Sequence, residues 1–101
     1  MLVNCVVYEG GRKFADIEKH QISEYLKRPD AFVWVALRDA APEELAEMQE
    51  EFGLHELAVE DAHHGHQRPK IEEYRNSLFV VLHTAELTGD DLRIGEVAIF
   101  V

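Results

Sequence analysis

Cysteine is almost absent from this sequence: Cys5 is the only one among 101 residues. A single cysteine cannot form an internal disulfide. Because Cys5 lies in an apolar stretch beside Val6 and Val7, we expect a buried structural thiol in a reducing compartment.

No apolar run approaches the ~20 residues that a membrane helix needs. The first residues also lack the basic segment followed by an apolar segment that marks a signal peptide. We therefore expect this stretch of chain to be soluble.

Basic residues are also scarce, since ten lysines and arginines stand against twenty aspartates and glutamates, and the formal net charge is -10. A nucleic-acid surface requires a basic footprint, so this balance argues against a nucleic-acid partner. The charge suits a protein that binds or tolerates cations, although solubility alone is the simpler explanation. Hydrophobic residues make up 47% of the chain, which is typical of a globular domain and not of a disordered segment.

Apolar stretches separated by turn signals predict the secondary structure. The stretch Phe32–Leu37 is apolar at every position, which predicts a central strand covered on both sides, with Trp34 in the core. The alternation of elements predicts an α/β class, a mixed β-sheet with helices packed over it in an α/β/α sandwich-like domain. The predicted strands are Leu2–Tyr8, Phe14–Ile17, Phe32–Leu37, Gln67–Tyr74, Leu78–Ala85 and Leu92–Val101; the predicted helices are Ile17–Lys27, Pro42–Phe52 and His55–His63.

The two later helices each carry an apolar stripe that predicts a buried face. Gly53, directly after the first of them, is a typical C-terminal cap. The apolar strand pattern Ile94–Val101 still runs at the last residue, so we expect a C-terminally truncated piece of a longer protein. The residues predicted to be buried are Leu45, Met48 and Phe52 on the first helix, and Leu54, Leu57, Ala58 and Ala62 at the second.

Glu60 and Asp61 are adjacent acids on the predicted helix His55–His63. Carboxylate oxygens are the hard ligands that Mg²⁺ and Ca²⁺ prefer. Neighbours on a helix point about 100° apart, so these two acids cannot both face one ion ideally, but both can reach a gap shared between subunits. Spacing alone favours the simpler interpretation, a solvated helix face.

Histidines concentrate just after these acids, at His63, His64 and His66, with His55 one helix length earlier. A zinc site needs three or four ligands in a fixed geometry. No cysteine lies nearby and the histidine spacing is not one of the usual zinc patterns, so a polar corner between helix and strand is the favoured interpretation.

An enzyme would need a marked nucleophile or cofactor loop in addition to an acid–base pair of Glu60 or Asp61 with a histidine. The sequence has no Gly-x-Ser-x-Gly elbow and no glycine-rich phosphate loop. We therefore expect a protein that is not an enzyme, with a soluble acidic enzyme or adaptor as the alternative from another class.

From Phe52 onward the sequence contains an ordered series of motifs, FGLHxLxVED at 52–61, QRPKIExY at 67–74 and LFVVL at 78–82. This series resembles the N-terminal cytoplasmic domain of the CorA family of divalent-cation transporters. Trp34 in its strand and the helix after Pro42 also resemble the pattern of that family, so the resemblance covers about residues 32–101.

The resemblance implies an α/β domain on the cytoplasmic side of the inner (plasma) membrane, in a homopentameric channel for Mg²⁺ that often passes Co²⁺ or Ni²⁺. Residues 1–101 would be part of the N-terminal cytoplasmic domain. The transmembrane helices and their Gly-Met-Asn signature are absent from this chain, so contact with the membrane would come only through the missing C-terminal part. The related ZntB branch is linked with zinc, which leaves the transported ion and its direction open.

The resemblance also implies a role for two residues of this chain. Acids of this region in the family contribute to Mg²⁺ sites between neighbouring subunits that regulate opening, and the matching positions here are Glu60 and Asp61. The partner carboxylates would come from the neighbouring subunit, in sequence beyond Val101. The domain would thus be a metal-sensing regulator in which Mg²⁺ favours the closed channel.

Overall fold

Six strands and three α-helices account for most of the computed structural model, which describes all residues, 1–101. The chain divides into two units, residues 1–47 and residues 48–101. In chain order the elements are β1 (Leu2–Glu9), β2 (Arg12–Asp16), α1 (Ile22–Leu26, preceded by the 3₁₀ turn Lys19–Gln21), β3 (Ala31–Leu37), α2 (Pro42–Phe52), α3 (Glu56–His64), β4 (Lys70–Tyr74), β5 (Ser77–Thr88) and β6 (Asp91–Phe100).

The first unit contains an antiparallel sheet in the order β2-β1-β3. The turn between β1 and β2 uses Gly10 and Gly11, both at positive φ, a conformation that glycine adopts without steric cost. Strand β1 lies in the centre, and Cys5, Val6 and Val7 on it are buried. The prediction of a buried thiol is therefore confirmed, and burial raises the pKa of Cys5.

Strand β3 lies at the edge of this sheet, so the prediction that it is a central strand was wrong. The side chains of Phe32 and Trp34 are 54% and 52% exposed. They alternate with half-buried Val33 and Val35. Strand β1 supplies three consecutive buried residues and occupies the centre, which leaves Trp34 outside the core of this chain. Tyr8 stacks on Phe32 with ring centroids 4.9 Å apart and covers only part of that face.

Helix α1 is shorter than the predicted Ile17–Lys27 because its first turn is a 3₁₀ turn. Helix α2 begins at Pro42 as predicted, since proline is favoured in the first turn. It ends before Gly53, whose φ of 63° is typical of a glycine cap. Met48 is the buried residue of α2.

The second unit contains an antiparallel meander in the order β4-β5-β6. Strand β4 starts at Lys70, directly after Pro69, because proline cannot donate to a strand ladder. Strand β5 pairs with β4 and along its length with β6. Because directly paired residues of an antiparallel sheet share a face, Lys70, Glu72 and Tyr74 lie on the same face as Phe79 and Val81.

Helix α3 packs on that face. Ala58 forms a buried cluster with Phe79 and Val81, and Ala62 packs against the cluster. Leu57, which we expected to be buried, is 55% exposed. It follows Glu56 at the first turn of α3 and points away from Ala58, because successive residues on a helix are about 100° apart.

The predicted α/β class is confirmed. The strands form two separate antiparallel sheets, where the sequence suggested one mixed sheet. Each strand pairs antiparallel with its partners, and a parallel pair would need a crossover connection of a dozen or more residues. No helix of the chain combines the length and the hydropathy that a bilayer crossing requires.

Candidate metal-binding region on α3 and β4

Helix α3 carries both candidate acids and begins at a histidine cap. The imidazole Nδ1 of His55 accepts a hydrogen bond of 3.1 Å from the backbone N–H of Leu57. This bond satisfies one of the amides that every helix leaves without a partner in its first turn. The Glu56–His64 segment is therefore fixed at its start, and the two acids follow in its second turn.

Glu60 and Asp61 differ in their surroundings. Glu60 is exposed, and its carboxylate takes part in none of the ion pairs of the chain. Asp61 is partly buried, with 31% of its side chain exposed, and its Oδ2 accepts a hydrogen bond of 2.7 Å from the ammonium of Lys70. One acid is free to meet an external partner, and the other already holds a cation of the same chain.

Lys70 lies between two carboxylates. Its Nζ contacts Asp61 on α3 and also Glu72, two residues further along β4. The Tyr74 hydroxyl donates a hydrogen bond to the Oε2 of Glu72. Because Lys70, Glu72 and Tyr74 alternate along β4, all three side chains lie on the face that α3 covers.

The aromatic rings of His55 and Tyr74 complete this arrangement. They stack with centroids 4.1 Å apart and an interplanar angle of 22°. A continuous path therefore runs from the start of α3 through Tyr74, Glu72 and Lys70 back to Asp61 in the middle of the same helix. We refer to these five residues, His55, Asp61, Lys70, Glu72 and Tyr74, as the α3–β4 clasp.

The hydrogen bonds of the clasp shift the pKa values of Lys70, Glu72 and Tyr74. Hydrogen bonds to Asp61 and Glu72 raise the pKa of Lys70 above its ordinary value. Lys70, and after it Tyr74, lower the pKa of the Glu72 carboxyl. The hydrogen bond to Glu72 raises the pKa of the Tyr74 phenol. At neutral pH Lys70 is therefore an ammonium, Glu72 a carboxylate and Tyr74 a neutral phenol.

Local contacts organise the histidine corner, residues 63–66. The Nδ1–H of His64 donates to the carbonyl O of Glu60 at 2.9 Å. The ring of His63 meets the ring of His64 edge-on. Gly65 and His66 both have positive φ and turn the chain away from α3. No group of three or more histidine, cysteine, aspartate or glutamate side chains in the chain is arranged to hold a metal ion.

Two residues of the hairpin β5–β6 anchor the loop that follows this corner. The backbone N–H of Gln67 donates to the Oε1 of Glu96 at 2.8 Å. The Nε2–H of His83 donates to the carbonyl O of Gln67 at 2.7 Å. His83 and Glu96 are directly paired across the two strands, so both hydrogen bonds to Gln67 come from one cross-strand pair of the sheet.

Sequence reasoning missed Lys70, Glu72, Tyr74, His83 and Glu96 as members of this region. The alternation of charges along Lys70–Tyr74 was a usable signal, because a period of two places Lys70 and Glu72 on one face. Nothing in the spacing indicated that Asp61, nine residues earlier and on a helix, would be the second partner of Lys70.

The donor chemistry of α3 fits a hard divalent cation only in part. Glu60 offers carboxylate oxygens, and Asp61 offers the oxygen that Lys70 does not occupy. Mg²⁺ requires near-octahedral oxygen coordination and usually takes one or two carboxylates together with water. These two acids can therefore contribute to such a site, and the remaining ligands would be water or groups outside this chain.

Comparison with known proteins gives two matches. Residues 29–101 match the family described as "CorA-like Mg2+ transporter protein". The protein "Putative metal ion transporter YfjQ" of Bacillus subtilis (strain 168) is 36% identical to this chain over 78 residues. That alignment covers 76% of this chain and 24% of the Bacillus protein, so the chain spans about a quarter of the length of the curated relative. The family match includes α3 and β4 with all members of the clasp.

Proposed function

The chain belongs to the CorA-like Mg²⁺ transporter family, and from this premise we propose that it is part of the N-terminal cytoplasmic domain of a divalent-cation transporter. The family handles metal ions by transport and not by catalysis. The role proposed for these 101 residues is to sense Mg²⁺ and to regulate opening. The membrane-spanning part and the pore would lie elsewhere in the protein, at the inner membrane.

The observation that carries this proposal is the state of Glu60. It is an exposed carboxylate on a helix whose start and middle both contact β4, through the stack of His55 on Tyr74 and the ion pair of Asp61, and it has no cation of its own chain as a partner. Asp61 lies directly beside it, with one oxygen turned to Lys70. A helix held in this way that presents an unpaired carboxylate could provide one half of a site between two subunits.

The mechanism follows from the charge. These 101 residues carry a formal charge of -10, so copies of them in a ring repel one another when cations are scarce. Mg²⁺ held between Glu60 and Asp61 of one subunit and oxygen ligands of its neighbour would stabilise the closed ring. When the ion is lost, the repulsion would loosen the ring and permit conduction. An ion shifts this balance only through its different affinity for the two states.

Several weak sites together can shift the equilibrium between the open and the closed ring. We propose a homopentamer, as the family resemblance implies, with one such site at each interface. If each site contributes about 1 kcal/mol, five sites supply roughly the 5 kcal/mol that shifts a two-state equilibrium from almost fully open to almost fully closed. The transported ion in this proposal is Mg²⁺, with Co²⁺ or Ni²⁺ as further ions.

Protease resistance of the full-length protein across a Mg²⁺ titration tests the proposal. The parent protein should become protected as Mg²⁺ rises, because the closed ring exposes fewer sites. Asp61→Asn and Glu60→Gln keep the side-chain shapes but offer poorer ligands, so each variant should need more Mg²⁺ for the same protection. The double variant should be non-additive if both acids serve one site. If both variants give the same curve as the parent, these acids are only part of a solvated helix face and do not bind Mg²⁺.

A further inference from the structure

Lys70 places a cation of the protein at one of the two acids that the proposed site uses. Its ammonium is 2.7 Å from the Oδ2 of Asp61. The pair is partly buried, with 25% of the Lys70 side chain and 31% of the Asp61 side chain exposed. An ion pair shielded to this degree interacts more strongly than a pair that is fully in water. A divalent cation that approached Asp61 would meet this ammonium at short range.

We propose that Lys70 is a built-in competitor for Mg²⁺ at Asp61, so that ion binding at the subunit interface exchanges the ammonium for the divalent cation. This inference rests on the proposed function, because it concerns the regulation of the same site. It assigns different roles to the two acids. Glu60 is always available to the ion, and Asp61 becomes a full ligand only after Lys70 leaves it.

A second carboxylate, that of Glu72, lowers the free-energy cost of this exchange. Lys70 also pairs with Glu72 on its own strand, so an ammonium displaced from Asp61 keeps one counter-ion. The face of the Phe79 ring, whose centroid is 5.7 Å from Nζ, gives it a further favourable neighbour. The displaced side chain therefore does not leave an unpaired charge in a partly buried place, which would be costly.

The exchange also changes how α3 is held. While Lys70 contacts Asp61, the middle of α3 is tied to β4 by an ion pair. After the exchange, α3 would keep its apolar packing through Ala58 and the stack of His55 on Tyr74, and Asp61 would instead be tied to the neighbouring subunit through the ion. Binding of Mg²⁺ would thus replace a contact within one subunit by a contact between subunits.

The test is the Mg²⁺ midpoint of protease protection in the full-length protein, measured for variants of Lys70. Lys70→Gln should lower the midpoint about fivefold, the upper end of the effect measured for ion pairs near a protein surface. Lys70→Arg keeps the positive charge and should stay near the parent midpoint. Lys13→Gln is the matched control, because Lys13 also pairs with an aspartate, Asp16, but on the exposed hairpin of β1 and β2.

A double variant separates the removal of the competitor from a simple gain of negative charge. Lys70→Gln combined with Glu72→Gln removes one positive and one negative charge, so the net charge of the protein is that of the parent. The double variant also has no Glu72 carboxylate left without its lysine partner. It can therefore still be measured if the single variant folds poorly. The double variant should still bind Mg²⁺ with a lower midpoint than the parent, because Asp61 is free in it.

The results of these measurements distinguish a failure of the exchange from a failure of the proposed function. A parent that shows no Mg²⁺ protection overturns this inference together with the proposed function. A protected parent with an unchanged or higher midpoint in Lys70→Gln overturns the exchange and leaves the proposed function standing. A lowered midpoint in Lys70→Gln that returns to the parent value in the double variant also overturns the exchange, because charge alone would then explain the effect.

Discussion

The imidazole of His55 stacks on the phenol ring of Tyr74, with their centroids 4.1 Å apart. The same imidazole caps α3 by accepting the N–H of Leu57. One side chain therefore fixes the start of the helix and also joins it to the strand that carries Lys70 and Glu72. The helix that carries the candidate acids is thus held both by this double contact and by the buried packing of Ala58.

Substitutions of His55 should separate its two contacts. His55→Ala removes the cap and the stack, and the loss of a helix cap alone costs about 1 kcal/mol. His55→Asn restores a good capping residue without the ring, so it should retain more stability than alanine. Hydrogen exchange of the α3 backbone amides measures the difference. Equal acceleration of exchange in the two variants would show that the cap contributes nothing.

The core beneath α3 should be sensitive to a cavity. Phe79 is 1% exposed and packs with Ala58, Val81 and Phe100. Phe79→Ala should reduce the free energy of unfolding by about 3–5 kcal/mol, since it removes a large buried ring. Leu87→Ala is the control because Leu87 is 71% exposed, and it should change stability by less than about 0.5 kcal/mol. Urea unfolding checks both, and similar losses would contradict the placement of the core.

Acidification should loosen the clasp through Glu72. Lys70 and Tyr74 hold the pKa of the Glu72 carboxyl below the ordinary glutamate value of 4.5. A lowered pKa in the folded state means that the stabilising contribution is fully present above pH 4.5 and is lost as the pH falls through the folded-state pKa. Glu72→Gln should remove this component of the acid sensitivity.

Unfolding of the two proteins should therefore be compared between pH 6 and pH 3. The difference in stability between the parent and Glu72→Gln should be largest at the higher pH and should shrink on acidification. A difference that stays constant over this range would mean that Glu72 does not interact with Lys70 as a charged group.

The histidine corner should be dispensable. His63→Ala combined with His64→Ala removes one hydrogen bond to the Glu60 carbonyl, which is worth about 0.5–1.5 kcal/mol at most. Transport of divalent cations by the full-length protein should remain nearly unchanged. A large loss of uptake in this double variant, with folding intact, would instead support a zinc site at His63, His64 and His66.

The order of the elements was predictable from the sequence because local signals determine it. Helix α2 begins at Pro42 and ends before Gly53, and the period of two in the side chains after Pro69 indicates β4. Gly89 marks the turn between β5 and β6. The position of Trp34 was not predictable in this way. A fully apolar strand indicates two covered faces, but which strand is central depends on the pairing partners, and these follow from tertiary packing.

The candidate site was likewise predictable only in part. The family resemblance implies Glu60 and Asp61, whereas their spacing alone favours a solvated helix face. Their different surroundings depend on Lys70, which reaches Asp61 from a separate strand. Contacts between a helix and a strand are set by packing of the whole unit, so sequence spacing cannot identify such an ion pair in advance.

The location of a bound ion would show most directly whether Glu60 and Asp61 bind a divalent cation between subunits. Mn²⁺ shares the oxygen ligands of Mg²⁺ and can be located in crystals of the full-length protein by its anomalous scattering. We predict a peak between subunits, within about 2–2.3 Å of a carboxylate oxygen of Glu60 or Asp61, with Lys70 turned away from Asp61. Interfaces with ordered ions elsewhere, and α3 acids that contact only solvent and Lys70, would contradict it.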